Sequence, residues 1–370
     1  MQKAAREYAE KVIMPIAAEY DEKGETPVHI IKDMSMQGYN TMTFPEEYGG
    51  GEMECLTACL AVEELARACA GITTSAAANS LAGYPILLAG TPEQKEKYLT
   101  PLSEGKLAAF CLTEPEAGSD VASISTHVKE AEEGYVLNGT KCFITNGSLA
   151  DIFTVFATVD RGKGARGLTA FIVEKGFAGV SIGKKESKMG IRASDTAEII
   201  FEDVPVPPEN ILGSRGGGFR IAMTTLDISR PLVGAMAVGI ARAAFEKAVE
   251  YAQRRKQFGQ AIASYQSIQF KLAEMAMKID AARVLVLKAA YLVDKKEKRL
   301  SGPSAMAKAF AGDVAMQVTV EALQVFGGYG YMKDYPMEKY MRDAKIMQIY
   351  EGTGEIQRLV AANEILKGRM

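Results

Sequence analysis

Few residues of this chain are equipped for chemistry. Two histidines, His29 and His127, lie out of metal-ligand spacing with the five cysteines Cys55, Cys59, Cys69, Cys111 and Cys142, which disfavours a zinc centre, and so few histidines also speak against a Ser-His-Asp or Cys-His triad. The cysteines are odd in number and stand in apolar or small-residue segments, so they read as reduced thiols of a cytosol-like compartment. Three other segments stand out. In Thr113-Glu114-Pro115-Glu116-Ala117-Gly118-Ser119-Asp120 a strand breaks into a loop of small and hydroxyl residues, where backbone N–H groups and hydroxyls can approach a flat polar ligand. Gly213-Ser214-Arg215-Gly216-Gly217-Gly218 lacks both the strand–GxGxxG–helix register and a following Gly-Lys-Ser/Thr, so it reads as a flexible domain junction. In Tyr350-Glu351-Gly352-Thr353-Gly354-Glu355-Ile356-Gln357-Arg358, glycine turns and Glu351 precede a helix start. On residue type alone that carboxylate is a cap or a solvated charge.

The elements that must position these segments divide the chain in three. With 370 residues, 48% of them apolar, more than one core is expected. Residues 1–107 carry a helical pattern, with breaks at Gly49-Gly50-Gly51 and at Thr91-Pro92-Glu93-Gln94, the latter a well-capped helix start. Residues 108–214 change to β-branched and aromatic alternation, as in Phe153-Thr154-Val155-Phe156 and Leu168-Thr169-Ala170-Phe171-Ile172-Val173. Turns at Asn138-Gly139, Asn146-Gly147 and Gly162-Lys163-Gly164 predict an antiparallel β barrel or sandwich. Residues 215–370 are helical again. Ile268, Leu272, Met275, Ile279, Ala282, Val286, Ala289 and Val293 share one stripe of a long helix that belongs in a bundle. Its role is packing.

Lys+Arg 43 against Asp+Glu 46 gives a net charge of 43 − 46 = −3, with no general attraction for nucleic acid or an anionic membrane surface. No apolar run approaches a membrane span, and the start Met1-Gln2-Lys3-Ala4-Ala5-Arg6-Glu7 lacks the apolar stretch of a signal peptide.

Taken together, five ordered motifs make the chain resemble the acyl-CoA dehydrogenase family along nearly its whole length. They are Cys111-Leu112-Thr113-Glu114-Pro115-Glu116-Ala117-Gly118-Ser119-Asp120, Asn138 to Gly147, Arg254-Arg255-Lys256-Gln257-Phe258-Gly259, Gln324-Val325-Phe326-Gly327-Gly328-Tyr329-Gly330, and Arg342-Asp343-Ala344-Lys345-Ile346 through Tyr350-Glu351-Gly352-Thr353 to Gln357-Arg358. The resemblance implies an N-terminal helical domain, a central β domain and a C-terminal four-helix bundle. It also implies FAD, a homotetramer built as a dimer of dimers, and electron transfer to an electron-transfer flavoprotein. The implied reaction is α,β-dehydrogenation of a saturated acyl-CoA to the trans-2-enoyl-CoA, which needs a base for the α-proton and a hydride acceptor facing Cβ. By its match to the family motif, Glu351 is the expected base. Some relatives take the base from the position before the arginine equivalent to Arg230; here that residue is Ser229, which cannot serve.

Carried over residue by residue, Phe110, Cys111, Leu112, Thr113, Gly118 and Ser119, with Phe143, Ile144 and Thr145, are expected at the flavin and ribityl chain. Arg255, Gln257, Phe258, Gln266, Gln324, Val325, Gly327 and Gly328 are expected at the FAD pyrophosphate and adenosine, partly across a subunit interface, and Thr353 and Glu355 also at FAD. Ser119, Asp227, Arg230, Tyr350 and Gly352 are expected along the acyl-CoA channel, and no metal site is expected. Phe143 stands where the family usually has tryptophan, and the chain contains no tryptophan.

Substrate length is left open between short and medium chains. The stretch Lys184-Lys185-Glu186 to Val204 is similar to butyryl-CoA dehydrogenases, whereas Ala307-Lys308-Ala309-Phe310-Ala311-Gly312-Asp313 is similar to medium-chain ones. Gly71-Ile72-Thr73-Thr74-Ser75 lacks the arginine that would hold a dicarboxylate. Alternatives are an alicyclic or branched acyl-CoA, an oxidase passing electrons to oxygen, or a catalytically silent scaffold of the same fold. The expected location is the cytoplasm of a bacterium, with the mitochondrial matrix after processing as second choice.

Overall fold

The structure is a computed structural model and describes residues 1–368. Helices α1 (Gln2–Tyr8), α2 (Ala17–Lys23), α3 (Val28–Met36), α4 (Cys55–Ala68), α5 (Ala70–Ala89) and α6 (Pro92–Ser103) come first. Small and apolar residues occupy nearly every face of α5, so it is buried all round and forms the centre of this domain. At the start of α6, Thr91 Oγ1 accepts from Gln94 N and Gln94 Oε1 accepts from Thr91 N, the reciprocal cap expected from the sequence. The amide of Gln94 also donates to the carbonyls of Glu209 and Ile211. One helix start thereby fastens two domains.

The central domain is a sheet of β1 (Ala108–Cys111), β2 (His127–Ala131), β3 (Gly134–Thr145), β4 (Ile152–Thr158), β5 (Leu168–Glu174), β6 (Val180–Lys185), β7 (Thr196–Val206) and β8 (Ile211–Leu212). Their order is β6-β7-β3-β2-β4-β5-β8, with β1 beside β4. Most pairings are antiparallel, but β1 runs parallel to β4 from Ala108 opposite Ile152 to Cys111 opposite Val155. The excursion through β2 and β3 supplies the crossover that a parallel pair requires. Strand β4 is buried along its whole length. Phe153, Val155 and Ala157 enter the sheet's own core, while Ile152 and Phe156 belong to the helical core.

Two sequence expectations change here. Asn138-Gly139 is not a turn; it lies inside the continuous strand β3, where the register shifts between Leu137 and Gly139. Gly139 has φ +149°, and a Cβ there would lie 2.4 Å from Thr126 Oγ1, so the glycine serves a bulge pressed against a neighbouring segment. Nor is the Gly216-Gly217-Gly218 junction loose. A Cβ on Gly218 would meet the Thr169 backbone at 2.7 Å, and Gly216 N donates to Thr169 Oγ1.

From Gly218 the chain forms α7 (Gly218–Arg254), the short hairpin β9 (Lys256–Gln257) and β10 (Gln260–Ala261), α8 (Gln266–Asp294), α9 (Ser301–Phe326), α10 (Gly328–Tyr331), α11 (Met337–Ile346) and α12 (Gly354–Leu366). Helices α7, α8, α9 and α12 pack as a bundle. The α8 stripe is buried at Met275, Ile279, Ala282, Val286 and Ala289, as its periodicity predicts. Among the described residues, no helix is long and apolar enough to cross a membrane.

Beneath the Thr113–Asp120 loop lies a buried ion pair. Lys141 Nζ donates to Glu114 Oε1 at 2.8 Å and to the Leu112 carbonyl at 2.9 Å, and both side chains are almost fully shielded from solvent. Burial opposes ionisation of Glu114, but the Lys141 ammonium and the N–H groups of Ser125 and Thr126 outweigh it and hold the carboxyl down to about 2. Lys141→Met leaves that carboxylate without its cation and is predicted to cost about 3–5 kcal/mol of stability. Chemical denaturation measures it, and Lys141→Met/Glu114→Gln is expected to lose less than the single variant.

Candidate active site

Helices α7 and α9 converge on the segment that joins α11 to α12. Glu351 sits in that segment with φ +53° and Gly352 with φ +96°, two consecutive left-handed residues, of which the first is uncommon for a residue with a Cβ. The turn is held by its carbonyls. Gln357 Nε2 donates to Glu351 O at 3.1 Å and to Gly352 O at 3.2 Å. Arg230 Nε reaches Glu351 O at 3.4 Å, and Lys308 Nζ reaches Gly352 O at 2.6 Å. Strain of this kind persists only where surrounding bonds over-determine it.

The Glu351 carboxylate accepts from Ser229 Oγ at 2.6 Å. Burial pushes the carboxyl above the usual carboxylate range, against the opposing pull of the Ser229 hydrogen bond and the Arg230 and Lys308 cations. Arg230 in turn donates to Asp227 Oδ1 at 2.6 Å, and Asp227 also accepts from the Ser301 hydroxyl. Burial raises the Asp227 carboxyl and lowers the Lys308 ammonium, the latter to about 8. A half-shielded carboxylate raised in basicity by burial, with a hydroxyl and two cations favouring its anion, has the character of a base for a weak carbon acid.

Asp227, Arg230, Tyr350, Glu351 and Gly352 are thus gathered in one place. Tyr350 directs its hydroxyl to Met347 Sδ at 3.2 Å. Thr353 caps α12 by accepting from Ile356 N, and Glu355 is exposed in the first turn of that helix. Ser119 and Gly118 lie exposed on the Thr113–Asp120 loop, while Cys111 and Leu112 point inward. Close by in sequence, a second register shift in β3 between Lys141 and Ile144 puts Phe143 at φ +57° with 64% of its surface exposed. Ile144 is buried and Thr145 half-buried.

A second group forms elsewhere. Arg255, Gln257, Gln324, Val325, Gly327 and Gly328 line a recess of ≈ 560 Å³ between α7 and the α9–α10 corner. There the Arg255 guanidinium stands 5.4 Å from the Tyr329 ring centre. Phe258, 96% exposed, and Gln266 project outside this recess. The recess shares no lining residue with the Phe110–Ser119 segment of the same chain.

These surfaces fit FAD. A Cβ on Gly118, Gly327 or Gly328 would meet nothing within 4 Å, leaving open backbone for a ligand to approach. An aromatic ring exposed on a strained bulge is suited to cover a flat apolar group. Sequence reasoning passed over Lys308, Gln357 and the hydroxyl of Ser229 as parts of this site. Lys308 did leave a signal, as the single cation in the otherwise apolar run Ala305 to Ala311.

Comparison with known proteins adds a consistent result. Three family profiles match in order: acyl-CoA dehydrogenase N-terminal domain over residues 1–106, middle domain over 109–204 and C-terminal domain over 216–366. A short-chain-specific acyl-CoA dehydrogenase of Megasphaera elsdenii is 50% identical over 372 residues, covering 99% of this chain and 97% of its own. The solved butyryl-CoA dehydrogenase of Megasphaera elsdenii superposes with a TM-score of 0.96 at 50% identity, covering 99% of this chain and 97% of its own. A chain from the structural study of the electron transferring flavoprotein of Acidaminococcus fermentans and flavin-based electron bifurcation gives 0.97 at 49% identity, with 99% and 97% covered.

The turn at Glu351 yields a direct test. A Cβ on Gly352 would lie 2.3 Å from Gln357 Nε2, so Gly352→Ala must displace the amide that holds both carbonyls and also strain a left-handed residue. A loss of about 1–3 kcal/mol is expected in chemical denaturation. An unchanged midpoint would mean that these bonds do not hold the turn.

Proposed function

The chain belongs to the acyl-CoA dehydrogenase family, and from that premise we propose that it oxidises a short saturated acyl-CoA to the trans-2-enoyl-CoA, with Glu351 as the base. The observation that carries the assignment is the Glu351 carboxylate itself. It is raised in basicity by burial yet bonded to Ser229 and faced by Arg230 and Lys308, so it can exist as an anion and still take a proton. FAD, when bound, would supply the acceptor for the hydride leaving Cβ.

The flavin would be held by the Phe110–Ser119 segment and by Phe143, Ile144 and Thr145. Arg255, Gln257, Phe258, Gln266, Gln324, Val325, Gly327 and Gly328 would take the pyrophosphate and adenosine, and Thr353 and Glu355 would lie at the same cofactor. Asp227, Arg230, Tyr350, Gly352 and Ser119 would line the acyl-CoA channel. That the Arg255 recess takes no lining residue from the Phe110–Ser119 segment favours a cofactor site shared between two copies of the chain. Phe270, Met277, Val284 and Tyr291 are exposed at seven-residue intervals along α8, an apolar row that a second copy would cover. A homotetramer built from such pairs is the proposed assembly, with an electron-transfer flavoprotein as acceptor. The short-chain choice is supported by the names of the relatives.

Glu351→Gln keeps size and removes basicity. The rate of flavin reduction by butyryl-CoA is expected to fall by about 10²- to 10⁴-fold, as measured by stopped-flow bleaching. Flavin content should persist. Because burial raises the Glu351 carboxyl, its ionised form costs stability as pH rises from the ordinary carboxylate range through the raised value. The variant, neutral throughout, should therefore melt no lower than the parent at neutral pH. In the parent, flavin reduction is predicted to fail on the acid side with a midpoint above the ordinary carboxylate value of about 4.3. A reduction rate within a few-fold of the parent in Glu351→Gln would move the base elsewhere.

Arg255→Ala tests the shared cofactor site. Loss of flavin absorbance, with a shift to smaller species in size-exclusion chromatography, is expected; full retention of both argues against it.

A further inference from the structure

Lys308 is 1% exposed on α9, and so far it has figured only as one of two cations facing Glu351. Its ammonium donates to the Gly352 carbonyl at 2.6 Å, one residue beyond the proposed base. The same face of α9 seats the whole segment. A Cβ on Gly312 would lie 2.7 Å from Met347 O, and Asp313 Oδ1 accepts from Gln348 Nε2 at 2.7 Å. A buried cation costs solvation unless it is paired, and here the partners offered are a carbonyl of the strained turn and the charge of Glu351.

We propose that Lys308 is a positioning residue for Glu351: its ammonium pins the left-handed turn through the Gly352 carbonyl and supplies the charge that keeps the neighbouring carboxylate ionised. This rests on the reading of Glu351 as base. The groups facing Glu351 are Ser229 and Arg230 from α7, Lys308 from α9, the Tyr84 phenol from α5 and the adjacent Tyr350 phenol. Those facing Lys308 are Glu351, Arg230, Asp313 and Glu355. Arg230 is already bonded to Asp227, which offsets part of its charge at Glu351. Lys308 has no side-chain carboxylate bonded to it among the described residues, and its charge adds to that of Arg230, the larger of the two cationic influences on Glu351. Burial pushes its ammonium down to about 8. Below that pH it carries its charge toward Glu351, whose carboxyl burial raises from its ordinary value.

The test uses the flavin-loaded full chain with Lys308→Met, Lys308→Gln and Lys308→Arg. The Gln variant keeps a donor for Gly352 O without charge, and the Arg variant keeps the charge. Two readouts are taken: the acid limb of flavin reduction by butyryl-CoA, and an infrared titration, without substrate, of the carboxyl band that disappears in Glu351→Gln. Loss of the cation in the Met and Gln variants should move both midpoints to higher pH by about 1 unit, equivalent to about tenfold slower reduction below the limb. Lys308→Arg should return both toward the parent. Midpoints unmoved in a folded Lys308→Met or Lys308→Gln protein would overturn the proposal, because a purely structural lysine would alter stability or rate but not the titration. If Glu351→Gln reduced flavin at the parental rate, the base assignment would fail by itself. The infrared titration would still decide whether Lys308 acts on Glu351.

Discussion

On the proposed reading of Glu351 as the base, its carboxylate must be both shielded from water and able to ionise, and the groups around it bear on that one constraint. Burial alone would neutralise Glu351. The fold meets this by drawing a hydroxyl and a guanidinium from α7 and an ammonium from α9 onto one turn. None of these groups is near Glu351 in sequence. The bundle is therefore more than a support: α7 and α9 bring to the 347–352 segment the hydroxyl and the two cations that oppose the effect of burial on Glu351.

The same physics appears at the loop after β1. Lys141 and Glu114 are buried together under Thr113–Asp120, with Glu114 also accepting from two backbone N–H groups and the Ser125 hydroxyl. A loop of small residues has little apolar surface with which to order itself. Its position comes from a buried ion pair and from the Cys142 N–H donated to the Thr113 carbonyl. That anchorage also fixes where the following bulge places Phe143.

The three domains meet at α11. Asp343 accepts from the Ile191 N–H of the sheet domain and from Lys339 Nζ, which also faces Cys69 at the break between α4 and α5. Arg342 reaches Asp21 and the Met189 carbonyl, and a Cβ on Gly190 would lie 2.3 Å from Arg342 O. Helix α11 ends directly before the segment of Glu351.

The sequence by itself determined the order helical, β, helical, the α8 stripe and the capped start of α6, because these rest on local periodicity and on side chains within one turn of their partners. It also marked Glu351 through the motif around it, though residue type alone made that carboxylate a cap. It misread Asn138-Gly139 as a turn, since a local Asn-Gly signal cannot report that Thr126 presses against Gly139 and draws the glycine into a bulge. Only the tertiary structure decided that Ser229, dismissed as a base, would be a partner of the Glu351 carboxylate, and that Lys308 would be buried against Gly352. The residues involved are separated by 122 and 44 positions, and the charge state of a carboxylate depends on which groups surround it in space, which sequence spacing does not encode.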